Sequence, residues 1–137
     1  MSVMSARGAV VASVAAALTL SCGAPTVRPG VPREAQGVEI APYEAYEECA
    51  DLVRGDRLDY RYESTSPVDF DIRYREGNAV LSPIVREQAT QDSGIFAPRV
   101  PTRYCLHWQA GRRGAIIGFR IIIRRSQGLL GPNHNSA

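Results

Sequence analysis

Leu58-Asp-Tyr-Arg-Tyr-Glu63, followed after Ser64-Thr-Ser-Pro67 by Val68-Asp-Phe-Asp-Ile-Arg-Tyr74, sets an apolar or aromatic side chain at every second position. Leu58, Tyr60 and Tyr62 alternate with Arg57, Asp59, Arg61 and Glu63. Val68, Phe70, Ile72 and Tyr74 alternate with Asp69, Asp71, Arg73 and Arg75. A period of two sends successive side chains to opposite faces of a strand, one buried and one wet. The same alternation extends outward. After the turn Glu76-Gly-Asn78, Ala79 to Val85 continues as a strand in which Pro83 marks an edge or bulge. Asp92-Ser-Gly94 reads as a turn into Ile95-Phe96. Tyr104, Leu106 and Trp108 alternate with Arg103, Cys105 and His107, and Ile117, Phe119, Ile121 and Ile123 alternate with Gly118, Arg120, Ile122 and Arg124. A less regular first strand runs from about Val38 to Tyr46. Only Tyr43 to Val53, an acidic stretch, is ambiguous between helix and strand. Strands this short, separated by regular turn signals, predict an all-β fold: a small antiparallel β-sandwich of jelly-roll type with about six to eight strands.

The flanks differ in kind from this core. Residues 1–21 hold 14 apolar residues and a single charge, Arg7. The apolar run Ala9 to Leu20 would span about 18 Å as a helix, short of the roughly 30 Å hydrocarbon layer, which fits a secretory signal peptide better than a membrane span. Leu18-Thr-Leu-Ser-Cys22, followed by Gly23, resembles the bacterial lipobox, in which the cysteine is lipidated and becomes the new N-terminus; Thr19 departs from the leucine usual at its position. The resemblance implies lipid attachment at Cys22, palmitate among the acyl chains, and, with Gly23 rather than an aspartate next, a lipoprotein of the outer membrane facing the periplasm or the cell surface. The competing reading is ordinary cleavage after Ala24, which Pro25 disfavours. Residues 22–37 carry prolines and glycines without hydrophobic periodicity and read as a disordered tether, reaching about 40–50 Å at roughly 3.1 Å per residue. The domain is then expected over 38–125, with a flexible tail over 126–137.

The chain has three cysteines, Cys22, Cys49 and Cys105. If Cys22 carries lipid, Cys49 and Cys105 are left as a single possible pair in an oxidising compartment. Loop-closure entropy for such a bridge is worth about 4 kcal/mol. Two buried free thiols are the alternative.

The order of features also resembles the Golgi-dynamics (GOLD) domain. Tyr46-Glu-Glu-Cys49, the turn Val53-Arg-Gly55-Asp56 and the aromatic strand Leu58 to Glu63 resemble its opening. Val68 to Ile72 resembles its next strand, Gly77-Asn78 the following turn, Arg103-Tyr-Cys-Leu-His-Trp108 its second cysteine strand, and Phe119 to Ile123 its closing strand. The likeness covers roughly residues 39–125. It implies a disulfide-bonded β-sandwich that serves as a protein- or lipid-interaction module. The coiled coil, membrane span and cytoplasmic tail of the trafficking receptors are missing, so their trafficking role does not carry over.

Composition narrows the chemistry. The chain has 137 residues, 45% hydrophobic and 22% charged, with a net charge of +2 and arginine as its only strong base. Past the leader, 15 arginines face 14 acids, too even a balance for a nucleic-acid binder that works by bulk charge. Asp69 and Asp71 share a strand face as an acid–base or metal pair would, but beside Arg73 and Arg75 they read as a solvated face. His107 reads as a solvent-side histidine. Ser64, Ser66, Ser82 and Ser93 sit in no nucleophile elbow. There is no Gly-rich phosphate loop and no close Cys/His spacing, so no catalytic residue, metal or cofactor is expected.

Charge placement carries more. Residues 34–92 hold 14 acids and six arginines, and residues 93–137 seven arginines and no acid. Interleaved strands would cancel these blocks. Alternatively Arg112, Arg113, Arg120, Arg124 and Arg125 form a basic edge that docks an anionic envelope surface. The expected function is a non-enzymatic envelope lipoprotein presenting a binding module, with exposed loops such as His107 to Gly114 contacting an unknown envelope protein or polymer. A structural subunit of an envelope complex and an envelope enzyme with an unrecognised site are the rivals.

Overall fold

The computed structural model describes residues 27–126. The leader, Cys22 and the tail from residue 127 onward lie outside the described residues. Six strands follow in chain order: β1 (Arg33–Ile40), β2 (Ala45–Leu52), β3 (Arg57–Glu76), β4 (Ala79–Phe96), β5 (Thr102–Ala110) and β6 (Ala115–Arg124). There is no helix among the described residues.

The stretch quoted above is one strand rather than two. β3 runs for 20 residues, and its two halves have different neighbours. Arg57–Ser64 pairs with β6, whereas Val68–Tyr74 pairs with β5. The long strand β4 follows β3 along its other side throughout. Every pairing is antiparallel, and β1 on β6 and β2 on β5 complete two halves with parallel layouts: β1-β6-β3-β4 and β2-β5-β3-β4. The described domain is thus one sheet creased across its middle and folded over on itself, a β-sandwich whose halves share the β3–β4 hairpin.

The crease falls where strand geometry is locally broken. The β3 register slips between Glu63 and Val68. Opposite it, Gln88 on β4 takes a positive φ of 49°, and its backbone N–H and side-chain amide both donate to Asp69 Oδ1. The β1–β2 and β5–β6 connections cross the same line and are tied together by Tyr43 N–H to Gly111 O and Ala110 N–H to Glu44 O. Gly114 there has φ 65°, and a Cβ would lie 2.7 Å from the Ile40 carbonyl oxygen, so only glycine fits.

Parity survives the crease. Leu58, Tyr60 and Tyr62 in the first half and Val68, Phe70 and Ile72 in the second all face inward. They meet Tyr104, Leu106, Trp108, Ile117, Phe119, Ile121 and Ile123 in one core. Its centre is aromatic: Trp108 stacks on Phe119 at 5.1 Å and lies 5.4 Å from Phe70, itself 4.7 Å from Tyr62. Such rings gain from offset and edge contacts beyond the area they bury.

Several expectations change. β1 begins at Arg33 and Val27 is already buried, so the ordered domain takes in residues placed in the tether; pairing with β6 orders them despite their weak periodicity. Tyr43–Val53 is largely strand β2, its alternation masked by Glu48, a carboxylate at an inward position. Asp92–Gly94 is not a turn but part of β4 near its C-terminal end, opposite Tyr60–Tyr62. His107–Ala110 belongs to β5 and is mostly buried, so only Arg112 and Arg113, in the turn Gly111–Gly114, remain exposed there.

Candidate functional site

Cys49 and Cys105 are bonded. They are direct partners on β2 and β5, and both side chains emerge half-buried on the outer face. Glu47 lies close by: its carboxylate and the two sulfurs fall within 4.8 Å of one another. With both sulfurs in a disulfide there is no thiolate to hold a metal, so this cluster is a bridge and not a metal centre in its oxidised form.

The next row on this face holds a buried polar network. Asp71 on β3 is 8% exposed, as is His107 opposite it on β5. Asp71 accepts from Arg73 through both oxygens at 2.8 and 2.9 Å and from Ser82 at 2.8 Å, and its Oδ1 lies 2.9 Å from His107 Nδ1. Burial alone would raise the Asp71 pKa, but the hydrogen bonds from Arg73 and Ser82, with the Arg73 and His107 charges, hold it below the usual carboxylate range. Arg73 Nη2 also lies 3.0 Å from the same Nδ1, so with the proton on Nδ1 the ring donates to the carboxylate, and with the proton on Nε2 it accepts from Arg73. Neither Asp71 nor His107 is therefore the solvated residue that single-strand alternation suggests: β3 and β5 press them together, and Ser82 arrives from β4. Asp69 is separate, committed to Gln88 at the crease. Ser82 donates to the aspartate and not to the histidine, so serine, histidine and aspartate are present without the nucleophile–base contact that acyl transfer needs.

The arginines proposed as a basic edge do not lie at an edge. β6 is an inner strand between β1 and β3, and its 10 residues extend about 33 Å, so Arg112–Arg113 and Arg124–Arg125 stand at opposite ends. Three of the five are paired to early-chain acids: Arg120 to Glu34 at 2.6 Å, Arg124 to Asp59 at 2.7 Å and Arg125 to Asp56 at 3.1 Å. Interleaving brings the opposed charge blocks together. Arg112 and Arg113, in the β5–β6 turn, have no ion-pair partner among the described residues.

The principal concavity lies on the outer face of the β1-β6-β3-β4 half, an open groove of about 780 Å³. Two rows cross it. The strand register aligns Glu34, Arg120, Arg61 and Ser93 in one, and Gly118, Glu63 and Gln91 in the other. Gly118 gives the floor its depth: Gln36, from the β1 bulge, folds over it, and a Cβ there would meet the Gln36 side chain at 2.2 Å. Sequence reasoning missed this groove because its residues come from four strands. The one local signal was a glycine inside an otherwise bulky strand, which often marks close approach by another group.

No protein-family model matches the chain, and no curated protein matches it. Among solved structures it is similar to the pre-peptidase C-terminal domain of a collagenase from Bacillus anthracis, with a TM-score of 0.50 and 8% identity over 72% of this chain and 92% of that one. The likeness is one of fold: a small β-sandwich domain. The lipobox and GOLD readings rest on the residues quoted for them and gain nothing from these comparisons.

Proposed function

We propose that this protein is a non-catalytic binding module, tethered to the outer membrane through lipid on Cys22, that holds an extended polar polymer of the cell envelope along the β1-β6-β3-β4 groove. The groove supports the reading. Asp92 in its lining is paired with Arg86 from outside the groove; the other charged lining residues, Arg61, Arg120, Glu34 and Glu63, sum to zero charge, and Gln36, Gln91 and Ser93 add both donors and acceptors. A neutral surface of alternating donors and acceptors suits hydroxyl- and amide-bearing chains such as wall glycan better than a polyanion. Arg61 has no ion-pair partner among the described residues and is free to bond a ligand. The collagenase neighbour carries a comparable fold as a domain of a larger protein, which fits an accessory role.

Calorimetric titration with soluble wall-glycan oligosaccharides tests the groove. Arg61→Ala with Glu63→Ala should weaken binding at least about tenfold, the loss of two polar contacts; equal affinity for the variant and the native chain sinks the proposal. Cys22→Ala should move the protein from the membrane to the soluble fraction, and its retention in membranes would remove the lipid anchor.

The structural-subunit alternative draws on the free side of β4, where Val80, Leu81 and Val85 are exposed. A stoichiometric complex recovered from detergent-solubilised envelopes, lost on Val85→Lys, would favour it.

A further inference from the structure

We infer that the Cys49–Cys105 disulfide is an exchange site for small thiols that carry negative charge. Arg73 on β3, Cys105 on β5 and Cys49 on β2 form one row across three neighbouring strands. The bridge therefore runs from Cys105 away from β3. A thiolate attacking the Cys105 sulfur in line with the S–S bond must come from the Arg73 side. A cavity of about 290 Å³ opens there, with Arg73, Arg75, Arg103, Glu47 and Cys105, but not Cys49, among its lining residues.

Its electrostatics favour an anion. Arg75 and Arg103 are exposed and have no ion-pair partner among the described residues. Arg73 is positioned by its two bonds to Asp71. Glu47 is the one carboxylate in the lining, within 4.8 Å of both sulfurs, and it opposes an incoming anion, but the three arginines of the lining outnumber it. This is the environment in which a thiolate is both attracted and stabilised.

The step balances without a further reagent. The lone pair of the incoming thiolate forms a new S–S bond to Cys105 as the Cys49–Cys105 bond breaks. The electron pair of the broken bond leaves on Cys49, which takes a proton from water, and the product is a mixed disulfide at Cys105 with a free thiol at Cys49.

The oxidised full chain in detergent, mixed with mercaptoacetate, 2-mercaptoethanol or cysteamine, provides the test. Initial rates are compared per unit of thiolate and corrected for thiol pKa, and adducts are mapped by mass spectrometry after an acid quench. The anionic thiol should react about tenfold faster than the neutral one at low salt. The advantage should shrink in 0.5 M salt, where screening shortens the reach of the arginines, and the adduct should sit on Cys105. Arg75→Gln with Arg103→Gln should erase the preference, and Glu47→Gln should raise the rate. Urea-unfolded protein supplies the reference without a cavity, where all three corrected rates should converge. Equal corrected rates for the three thiols in the folded chain, an adduct on Cys49, or a preference surviving the double substitution would each overturn the inference.

Discussion

Tyr62 places a hydroxyl in the core with no hydrogen-bond partner among the described residues, as does the Trp108 indole N–H. Burial, with Asp92 nearby, pushes the Tyr62 phenol well above the ordinary tyrosine range, and Tyr60, which does reach Asp92, is pushed up to about 12. An unpartnered buried hydroxyl costs free energy that its ring recovers by packing. Tyr62→Phe keeps the ring contacts and removes the polar atom, so urea denaturation should show stability unchanged or raised by up to about 1 kcal/mol; a clear loss would reveal a partner for the hydroxyl. Asp71 makes the opposite case. Its folded pKa lies below the unfolded value, so its contribution is complete above about pH 4 and is lost as pH falls through the folded pKa. Asp56, fully buried, follows the same rule: burial opposes ionisation, while Arg125 and the Val53 N–H outweigh it. Stability should therefore fall on acidification below about pH 4, and Asp71→Asn should flatten the lower part of that profile while costing most at neutral pH. A profile unchanged by the substitution would contradict the network. None of this was visible along the chain, because Asp71 looks like any outward acid until Ser82 and His107 arrive from other strands.

At the scale of elements, β1 and β2 belong to different halves of the sandwich and are linked by an ion pair. Arg33 on β1 reaches Glu48 on β2 at 3.0 and 3.4 Å, and the Tyr46 hydroxyl donates to the same carboxylate at 2.5 Å. Glu48 is buried at an inward position, which is what hid the β2 period in the sequence. Glu48→Ala strands Arg33 and the Tyr46 hydroxyl and should cost about 2 kcal/mol, below the range for fully buried pairs because Arg33 is partly solvated. A double-mutant cycle with Arg33→Ala should return a positive coupling energy, and additive single effects would show that the clamp is not formed. The strands themselves were largely legible, since β3, β5 and β6 each keep strict alternation around a buried face. The crease was not. Ser64–Pro67 has the composition of a loop yet remains within β3, because β4 pairs along both sides of the bend and carries the strand through it.

For the whole molecule, the disulfide ties neighbouring strands of one half at positions 56 residues apart. Closing that loop in the unfolded chain is worth about 4 kcal/mol. Cys49→Ser with Cys105→Ser should lower unfolding free energy by up to that amount in chemical denaturation, and an effect under about 1 kcal/mol would mean that the unfolded chain is already constrained there. The same long-range pairing disposes of most of the charge asymmetry between the two halves of the sequence: β6 brings its arginines against acids of β1, β3 and the β2–β3 turn. What the sequence determined by itself was the face that each strand buries and the all-β class, because alternation is a local property that survives without knowledge of partners. Tertiary structure alone decided the crease, the Asp71–His107 network, the neutralised arginines and the groove over Gly118. Each of these depends on which strands become neighbours, and neighbours as far apart as Arg33 and Ile121, 88 positions along the chain, leave no periodic trace in it.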